Sequence, residues 1–304
     1  MAKRHVISLF DLTSDEIRQV FKISAELKSE LLRGVRRPSL SGHVLGLLFE
    51  KPSLRTRVSF EAAISHLGGN SMFLGADVGW GSREPVPDFA RVISQYVDVV
   101  VCRAKTHERV EELAENATCS VINGLTDVAH PCQALTDLFT LQEIAGSLDA
   151  ARLAYVGDAN NVACSLAVAS AKLGVPFSIA HPNGYGFQQP FLDRVMEAAP
   201  GFELLQTEDP VEAVVDATAV YTDVWASMGQ EDERVRRGEA FADYQVNERI
   251  MASANSEASF LHCLPARRGE EVTPEVIDGP QSAVIQQAEN RMHVQKGLLQ
   301  WLLG

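Results

Sequence analysis

Between positions 51 and 61 the chain reads Lys51-Pro52-Ser53-Leu54-Arg55-Thr56-Arg57-Val58-Ser59-Phe60-Glu61. Two hydroxyls, Ser53 and Thr56, stand beside two guanidiniums, Arg55 and Arg57, and no carboxylate lies between Lys51 and Phe60. Val44 to Phe49 before this stretch is a short apolar run of the kind that makes a buried parallel strand. Phe60, Ala63, Ile64 and Leu67 after it recur at helical spacing, and Gly68-Gly69 closes that helix. The stretch therefore joins a strand's carboxyl end to a helix's amino end. Free N–H groups and the positive end of the helix dipole suit a phosphate there. A guanidinium adds a planar fork of donors matched to phosphate oxygens. The competing reading is an ordinary strand–helix turn whose arginines are solvated. Two residues apart, Arg55 and Arg57 cannot both point the same way. Arg55 is taken as the phosphate ligand and Arg57 as structural.

Three further donors suit a carbonyl oxygen that gains negative charge in a reaction: Arg103, and His130 and Gln133 within His130-Pro131-Cys132-Gln133. A histidine alone would more often be a packed or capping residue, but the place of His130 just before a helix favours function. Cys132 faces away from Gln133 on any helix and belongs to the core. In the second half, Asn161, Asp223 and the turn Ser227-Met228-Gly229 could hold an amino acid. Its carboxylate would meet backbone N–H groups and Asn161, and its α-ammonium Asp223. Gly157-Asp158-Ala159-Asn160-Asn161 lacks the G-x-G-x-x-G spacing of a dinucleotide loop, so no nucleotide cofactor is expected. Cys263, a lone thiol, is by default a buried structural residue.

Positioning these groups requires strands and helices in alternation. Thr13-Ser14-Asp15-Glu16 is a capping-box pattern opening a helix with Ile17, Val20, Phe21, Ser24 and Leu27 on one face. Buried strands are expected near Val44–Phe49, Ser71–Leu74, Val97–Cys102 and Ser120–Asn123. A second run follows at Arg152–Val156, Phe177–Ala180, Phe202–Leu205, Ala219–Thr222 and Phe260–Leu261. Helices are expected over Glu108–Ala117, Ala134–Ile144, from Asn161 to Leu173, Phe191–Ala199 and from Ser282 to Leu303. Gly75 to Pro87 is a polar, Gly- and Pro-rich loop of the kind that carries function. Glu231 to Glu239 is charged and reads as solvated. Two runs of strand–helix alternation imply two doubly wound parallel α/β units. Ser53, Arg55, Thr56, Arg103, His130, Gln133, Asn161, Asp223 and Cys263 all fall at or just beyond strand carboxyl ends, where such sheets bind ligands. The expected division is 1–146, completed by the C-terminal helix 287–304 returning to it, and 147–286, with the active site in the cleft between them.

Composition bounds the classes. The 304 residues are 46% hydrophobic and 22% charged, ordinary for a globular protein of about two domains. A formal net charge of −13 argues against nucleic acid as a general partner. It does not argue against an anionic substrate in a locally basic cleft. The five cysteines form no Cys-x-x-Cys pair, so neither a disulfide framework nor a zinc site is expected, and reduced thiols in a cytoplasm are the simplest reading. No apolar run reaches the ~18 residues of a membrane helix, and no signal-peptide core is seen.

The Lys51–Glu61 stretch resembles the carbamoyl-phosphate motif of the aspartate/ornithine carbamoyltransferase family. Leu54 stands where the commoner form of that motif has Thr, a variant associated with the family's ornithine branch. The segments Arg103 to His107, His130 to Gln133 and Ala288-Glu289-Asn290-Arg291-Met292-His293 resemble its other carbamoyl-phosphate segments. The resemblance runs from about Leu9 to the C-terminus. It implies that Ser53, Leu54, Arg55, Thr56 and Arg291 bind carbamoyl phosphate and that Arg103, His130 and Gln133 hold its carbamoyl oxygen. Asp223-x-x-x-Ser-Met-Gly and His262-Cys263-Leu264-Pro265 resemble signatures of the ornithine branch. They imply L-ornithine bound by Asn161, Asp223, Ser227 and Met228. They also place Cys263 near the reacting δ-amine and a Leu264 carbonyl on the carbamoyl NH2. By this resemblance the chain needs no metal or cofactor and serves arginine biosynthesis as a homotrimer, a neighbouring subunit's loop near Trp80 reaching each site. Two departures stand out. Gly79 occupies the place of the family's loop Gln, so Trp80, Ser82 or Arg83 would have to substitute, or the contact is lost. Arg267 replaces a usual His. N-acetylornithine, N-succinylornithine or putrescine remain rival acceptors, and an inactive paralogue serving as a structural or regulatory subunit is a third reading. The intact Asp223 favours a free α-amine.

Overall fold

The computed structural model describes residues 3–226 and 231–304. The chain divides into two compact units, one formed by Met1–Leu135 with Asn290–Gly304 and the other by Thr136–Glu289.

The first unit opens with α1 (Ser14–Leu32), capped by Thr13, whose Oγ1 accepts from the Glu16 N–H while the Glu16 carboxylate accepts from the Thr13 N–H. Alternation then gives β1 (Val44–Phe49), α2 (Leu54–His66), β2 (Asn70–Leu74), α3 (Val86–Ile93), β3 (Val99–Arg103), α4 (His107–Asn116) and β4 (Ser120–Leu125). The next helix, α5 (Pro131–Ala145), carries the chain into the second unit. The strands form one parallel sheet in the order β2-β1-β3-β4. β1 and β3 are apolar and buried almost throughout, as strands covered on both faces must be. β2 is an edge strand and mostly exposed. One core of this unit gathers Leu48, Val100, Val110, Leu113 and Val121 with Phe89, Ile93 and Trp80 from α3 and the loop before it.

The second unit contains β5 (Leu153–Val156), α6 (Asn161–Leu173), β6 (Phe177–Ala180), α7 (Gln189–Ala198), β7 (Leu204–Thr207), α8 (Pro210–Val214) and β8 (Ala219–Tyr221). After these come α9 (Arg234–Ala240), α10 (Glu248–Ser253), β9 (Ser259–Leu261), α11 (Pro274–Ile277) and α12 (Val284–Leu303). Its parallel sheet has the order β7-β6-β5-β8-β9. α6 is built from small residues and buries nearly every one of them. From Asn290 onward, α12 belongs to the first unit, where a Cβ at Gly297 would meet the Ser24 hydroxyl of α1 at 2.0 Å.

The sequence reading placed most strands within two residues. It missed α10 and α11, which are short, and it read 231–239 as solvated, whereas Arg237 is buried in an ion-pair network. Charge density alone does not reveal an arginine enclosed by carboxylates. α3 turns Val86, Phe89, Ala90 and Ile93 inward and Val92 outward.

Candidate functional site

In each sheet the chain lays its strands outward on one side of the first strand and then returns to the other side. The order reverses between β1 and β3 in the first unit and between β5 and β8 in the second. Crevices outside the carboxyl ends of such neighbours are where open α/β sheets bind ligands. Ser53 and Arg103 follow or end the first pair, and Asn160 and Asp223 follow the second.

In the first unit, Ser53 is the N-cap of α2 and its Oγ accepts from the Thr56 N–H at 3.4 Å. The amino end of a thirteen-residue helix therefore opens beside Ser53, Leu54 and Arg55. Leu54 is exposed, and Arg55 is half-buried with no hydrogen bond or ion pair among the described residues. Arg57 turns the other way, pairing with Glu61 at 3.0 Å and stacking over Phe73 with Cζ 3.9 Å from the ring centroid. This agrees with a structural Arg57. Thr56 is buried, and its Oγ1 accepts from Arg291 Nη2 at 2.9 Å. Arg291 Nη1 also donates to the Gln133 side-chain oxygen. Arg103, His130, Gln133 and Arg291 are all nine-tenths or more buried. Two buried guanidiniums whose charges both act on His130 make an anion-seeking environment. His130 and Gln133 lie at the start of α5, which begins at Pro131 rather than Ala134, so Gln133 is in its first turn. Cys132 is core: its Sγ donates to the Asn123 carbonyl at 3.5 Å, and burial pushes the thiol up to about 12.

Burial, and next the Arg291 and Arg103 charges, hold the His130 imidazole well below its ordinary value of 6.5. It is therefore a neutral ring in the folded protein, fitted to donate one hydrogen bond rather than to titrate. Because the folded value is depressed, the unfolded chain alone takes up this proton as pH drops through about 6.5. The associated stability is intact above that pH and declines below it. A histidine-labelled sample followed by NMR should show a His130 ring that stays neutral well below pH 6.5. A normal titration midpoint would contradict this.

In the second unit, Asn160 is the N-cap of α6, its Oδ1 accepting from the Val162 and Ala163 N–H groups. Its Nδ2 donates to Asp223 Oδ2 at 2.9 Å. Asp223 Oδ1 accepts from the Cys263 thiol at 3.2 Å. The sequence reading singled out Asn161, which is half-buried at the first position of α6, and passed over Asn160. Two adjacent asparagines before a helix look alike in sequence; the N-cap preference could have marked the first as the capping one. Ser227 and Met228 lie outside the described residues. Below the site, the rings of Tyr155 and Tyr221 stack with centroids 5.6 Å apart. Arg237 Nη1 bridges Asp158 at 2.6 Å and the Trp225 carbonyl at 3.0 Å. Burial raises Asp158 despite this partner.

Leu264 has φ 57°, a left-handed conformation that a branched side chain occupies at a cost. Its N–H donates to His262 Nδ1 at 2.9 Å, and His262 Nε2 faces Glu271 Oε1 at 3.2 Å. Nδ1 is thus the acceptor and Nε2 the protonated nitrogen. Asp223, His262 and Cys263 bring potential ligand atoms within 4.8 Å of one another. Both imidazole nitrogens are already engaged, which leaves a carboxylate and a thiol: a pair better matched to a cationic amine than to a metal ion.

The chain matches "Aspartate/ornithine carbamoyltransferase, carbamoyl-P binding domain" over residues 4–143 and "Aspartate/ornithine carbamoyltransferase, Asp/Orn binding domain" over 149–302. It is 49% identical to a protein of Halalkalibacterium halodurans named ornithine carbamoyltransferase, covering 99% of this chain and 95% of that one. It is also 49% identical to one of the same name from Bacillus subtilis, over 99% and 94%. The solved ornithine carbamoyltransferase from Pyrococcus furiosus superposes with a TM-score of 0.96 at 45% identity, covering 100% of this chain and 98% of that one.

Proposed function

The chain belongs to the aspartate/ornithine carbamoyltransferase family, and from that premise we propose that it moves the carbamoyl group of carbamoyl phosphate to the δ-amine of L-ornithine. The products are L-citrulline and phosphate, and the reaction serves arginine biosynthesis. In this reading Met1–Leu135 with Asn290–Gly304 binds the donor and Thr136–Glu289 the acceptor. Ser53, Leu54, Arg55 and Thr56 receive the phosphate at the amino end of α2. Arg103, His130 and Gln133 direct donors at the carbamoyl oxygen, and Arg291 supports both groups through Thr56 and Gln133. Asp223 takes the α-ammonium of ornithine, held in place by Asn160, while Asn161, Ser227 and Met228 take its carboxylate end.

A primary amine is mostly protonated near pH 7, its ordinary value being about 10.4, so the reactive species is the minor neutral one. That amine attacks the carbamoyl carbon. The developing oxyanion is met by Arg103, His130 and Gln133, preorganised and buried where electrostatic stabilisation is strongest. The C–O bond to phosphate then breaks, phosphate leaving against Ser53, Arg55 and Thr56 and taking up the proton that the nitrogen loses. Cys263 stands beside Asp223 near the attacking nitrogen, and the Leu264 carbonyl receives the carbamoyl NH2.

One observation carries the acceptor half: a buried carboxylate, Asp223, aligned by Asn160 and Cys263 at the sheet's switch point. Such a group needs a cation, and ornithine supplies one in its free α-ammonium. An N-acylated ornithine does not. No helix among the described residues is long and apolar enough to cross a membrane, and a cytoplasmic location is part of this reading. So is a homotrimer, supported by the exposed apolar side chains Leu54, Val58, Met72 and Phe73 on α2 and the edge strand β2. The neighbouring-subunit loop is then the one around Trp80. Trp80 itself is turned inward at 3% exposure, so the substitute for the missing Gln at position 79 is not its side chain.

The test is a citrulline assay with carbamoyl phosphate and L-ornithine, run beside N-acetylornithine, N-succinylornithine, putrescine and aspartate. Fastest turnover with ornithine is expected. Turnover only with an acylated ornithine would overturn the acceptor half, and silence with every amine would revive the inactive paralogue.

A further inference from the structure

Glu50 lies between the end of β1 and the anion-seeking stretch beginning at Lys51, a poor place for a carboxylate near a bound phosphate. Its surroundings explain it. Its Oε1 is paired with Arg109 Nη1, and its Oε2 accepts from the Lys105 N–H at 2.6 Å. The Glu50 N–H donates to the Arg103 carbonyl at 2.9 Å. One residue thus ties the carboxyl ends of β1 and β3, the two strands that deliver Ser53 and Arg103. Arg109 extends the tie to a third loop. Its Nη2 donates to the Trp80 carbonyl at 2.9 Å, and its Cζ lies 4.5 Å from the centroid of the Trp80 ring. Trp80 is buried, packed against Phe89 at 6.0 Å between centroids. Gly81 is at φ 67°, and a Cβ there would meet Arg109 Nη2 at 2.1 Å. The loop after β2 thus passes close to the guanidinium at a backbone conformation that favours glycine.

We propose that Glu50, Arg109 and Trp80 form a clamp that positions the carbamoyl-phosphate site, holding the loops after β1, β2 and β3 in one arrangement. None of the three is a catalytic residue; they act through Ser53, Arg55 and Arg103. The inference rests on the assignment of the donor site to this unit. It adds a role for Arg109 and assigns Trp80 as anchor rather than ligand.

Charge and position make opposite predictions for Glu50→Gln. If Glu50 matters only as a negative charge near phosphate, removing it tightens carbamoyl phosphate. If it is a clamp, the variant loses the ion pair to Arg109 and weakens it. The experiment measures steady-state KM for carbamoyl phosphate and for ornithine, with kcat and melting temperature, in wild type, E50Q, R109M, R109K and W80F. The clamp predicts that E50Q and R109M each raise the carbamoyl-phosphate KM tenfold or more while the ornithine KM stays within twofold. R109K falls between, and W80F, which keeps a ring beneath the guanidinium, stays near wild type. The double variant E50Q/R109M should be no worse than the poorer single, as expected of partners in one contact. An E50Q enzyme that binds carbamoyl phosphate as well as or better than wild type overturns the proposal, as does a R109M variant altered in melting temperature alone. Should R109M not fold, R109K and E50Q decide. If wild type transfers carbamoyl to no amine, the functional reading fails separately. Calorimetry with inorganic phosphate on wild type and R109K then decides: weaker binding by the variant upholds the clamp, and equal binding overturns it.

Discussion

Replacing Arg103 by methionine is expected to lower kcat by about 10²–10³-fold, roughly 2.7–4 kcal/mol of transition-state stabilisation, the range seen when one oxyanion donor is removed. Arg103 ends β3 in register with Phe49 of β1, and only 6% of it is exposed. A buried guanidinium has little surrounding water to reorganise as charge develops, which is why its contribution appears in the transition state. The loss should therefore fall on kcat more than on the KM for carbamoyl phosphate. The same change removes one of the two charges that depress His130. Steady-state kinetics over a range of both substrates provide the measurement. A fall confined to KM would assign Arg103 to ground-state binding of phosphate instead.

The second large effect is expected from Asp223→Asn, which preserves shape and removes the charge. Asp223 accepts from Asn160 and Cys263 in a nearly closed setting. Truncating one partner of a buried charge pair typically costs about 2–5 kcal/mol, so the KM for ornithine should rise roughly 10²-fold or more. The KM for carbamoyl phosphate should change little, because the residues assigned to its phosphate and carbamoyl oxygen belong to the other unit. N-acetylornithine, with no α-ammonium, supplies the control: activity with it should be insensitive to the substitution. An unchanged ornithine KM would move the α-ammonium elsewhere and reopen the choice of acceptor.

Much of this was legible in the sequence. Val44–Phe49 and Val99–Arg103 declare themselves as buried strands because a parallel strand covered on both faces has no polar alternation to maintain. The capping box at Thr13 and the donor-rich stretch after Phe49 depend only on near neighbours, and local chemistry is written locally. The family resemblance then supplied expected roles for residues such as Arg291, which on spacing alone is one more charge on a helix.

Other features came only with the tertiary structure. Strand order decides which carboxyl ends are adjacent, and it depends on pairings between segments far apart in the chain. Nothing local to Ser53 or Arg103 says that β1 and β3 are neighbours, or that β5 and β8 are. Arg291 reaches Thr56 and Gln133 across intervals of 235 and 158 residues. Asn160 caps α6 and also donates to Asp223, a partner 63 residues away in the chain. Trp80, from sequence one candidate substitute for the loop Gln, is buried beneath Arg109. The sequence by itself determined the strands, the longer helices, the chemistry carried at their ends and the family. Which of those ends meet, and which way each side chain points, was decided by long-range packing, since no residue's neighbours in sequence specify its neighbours in space.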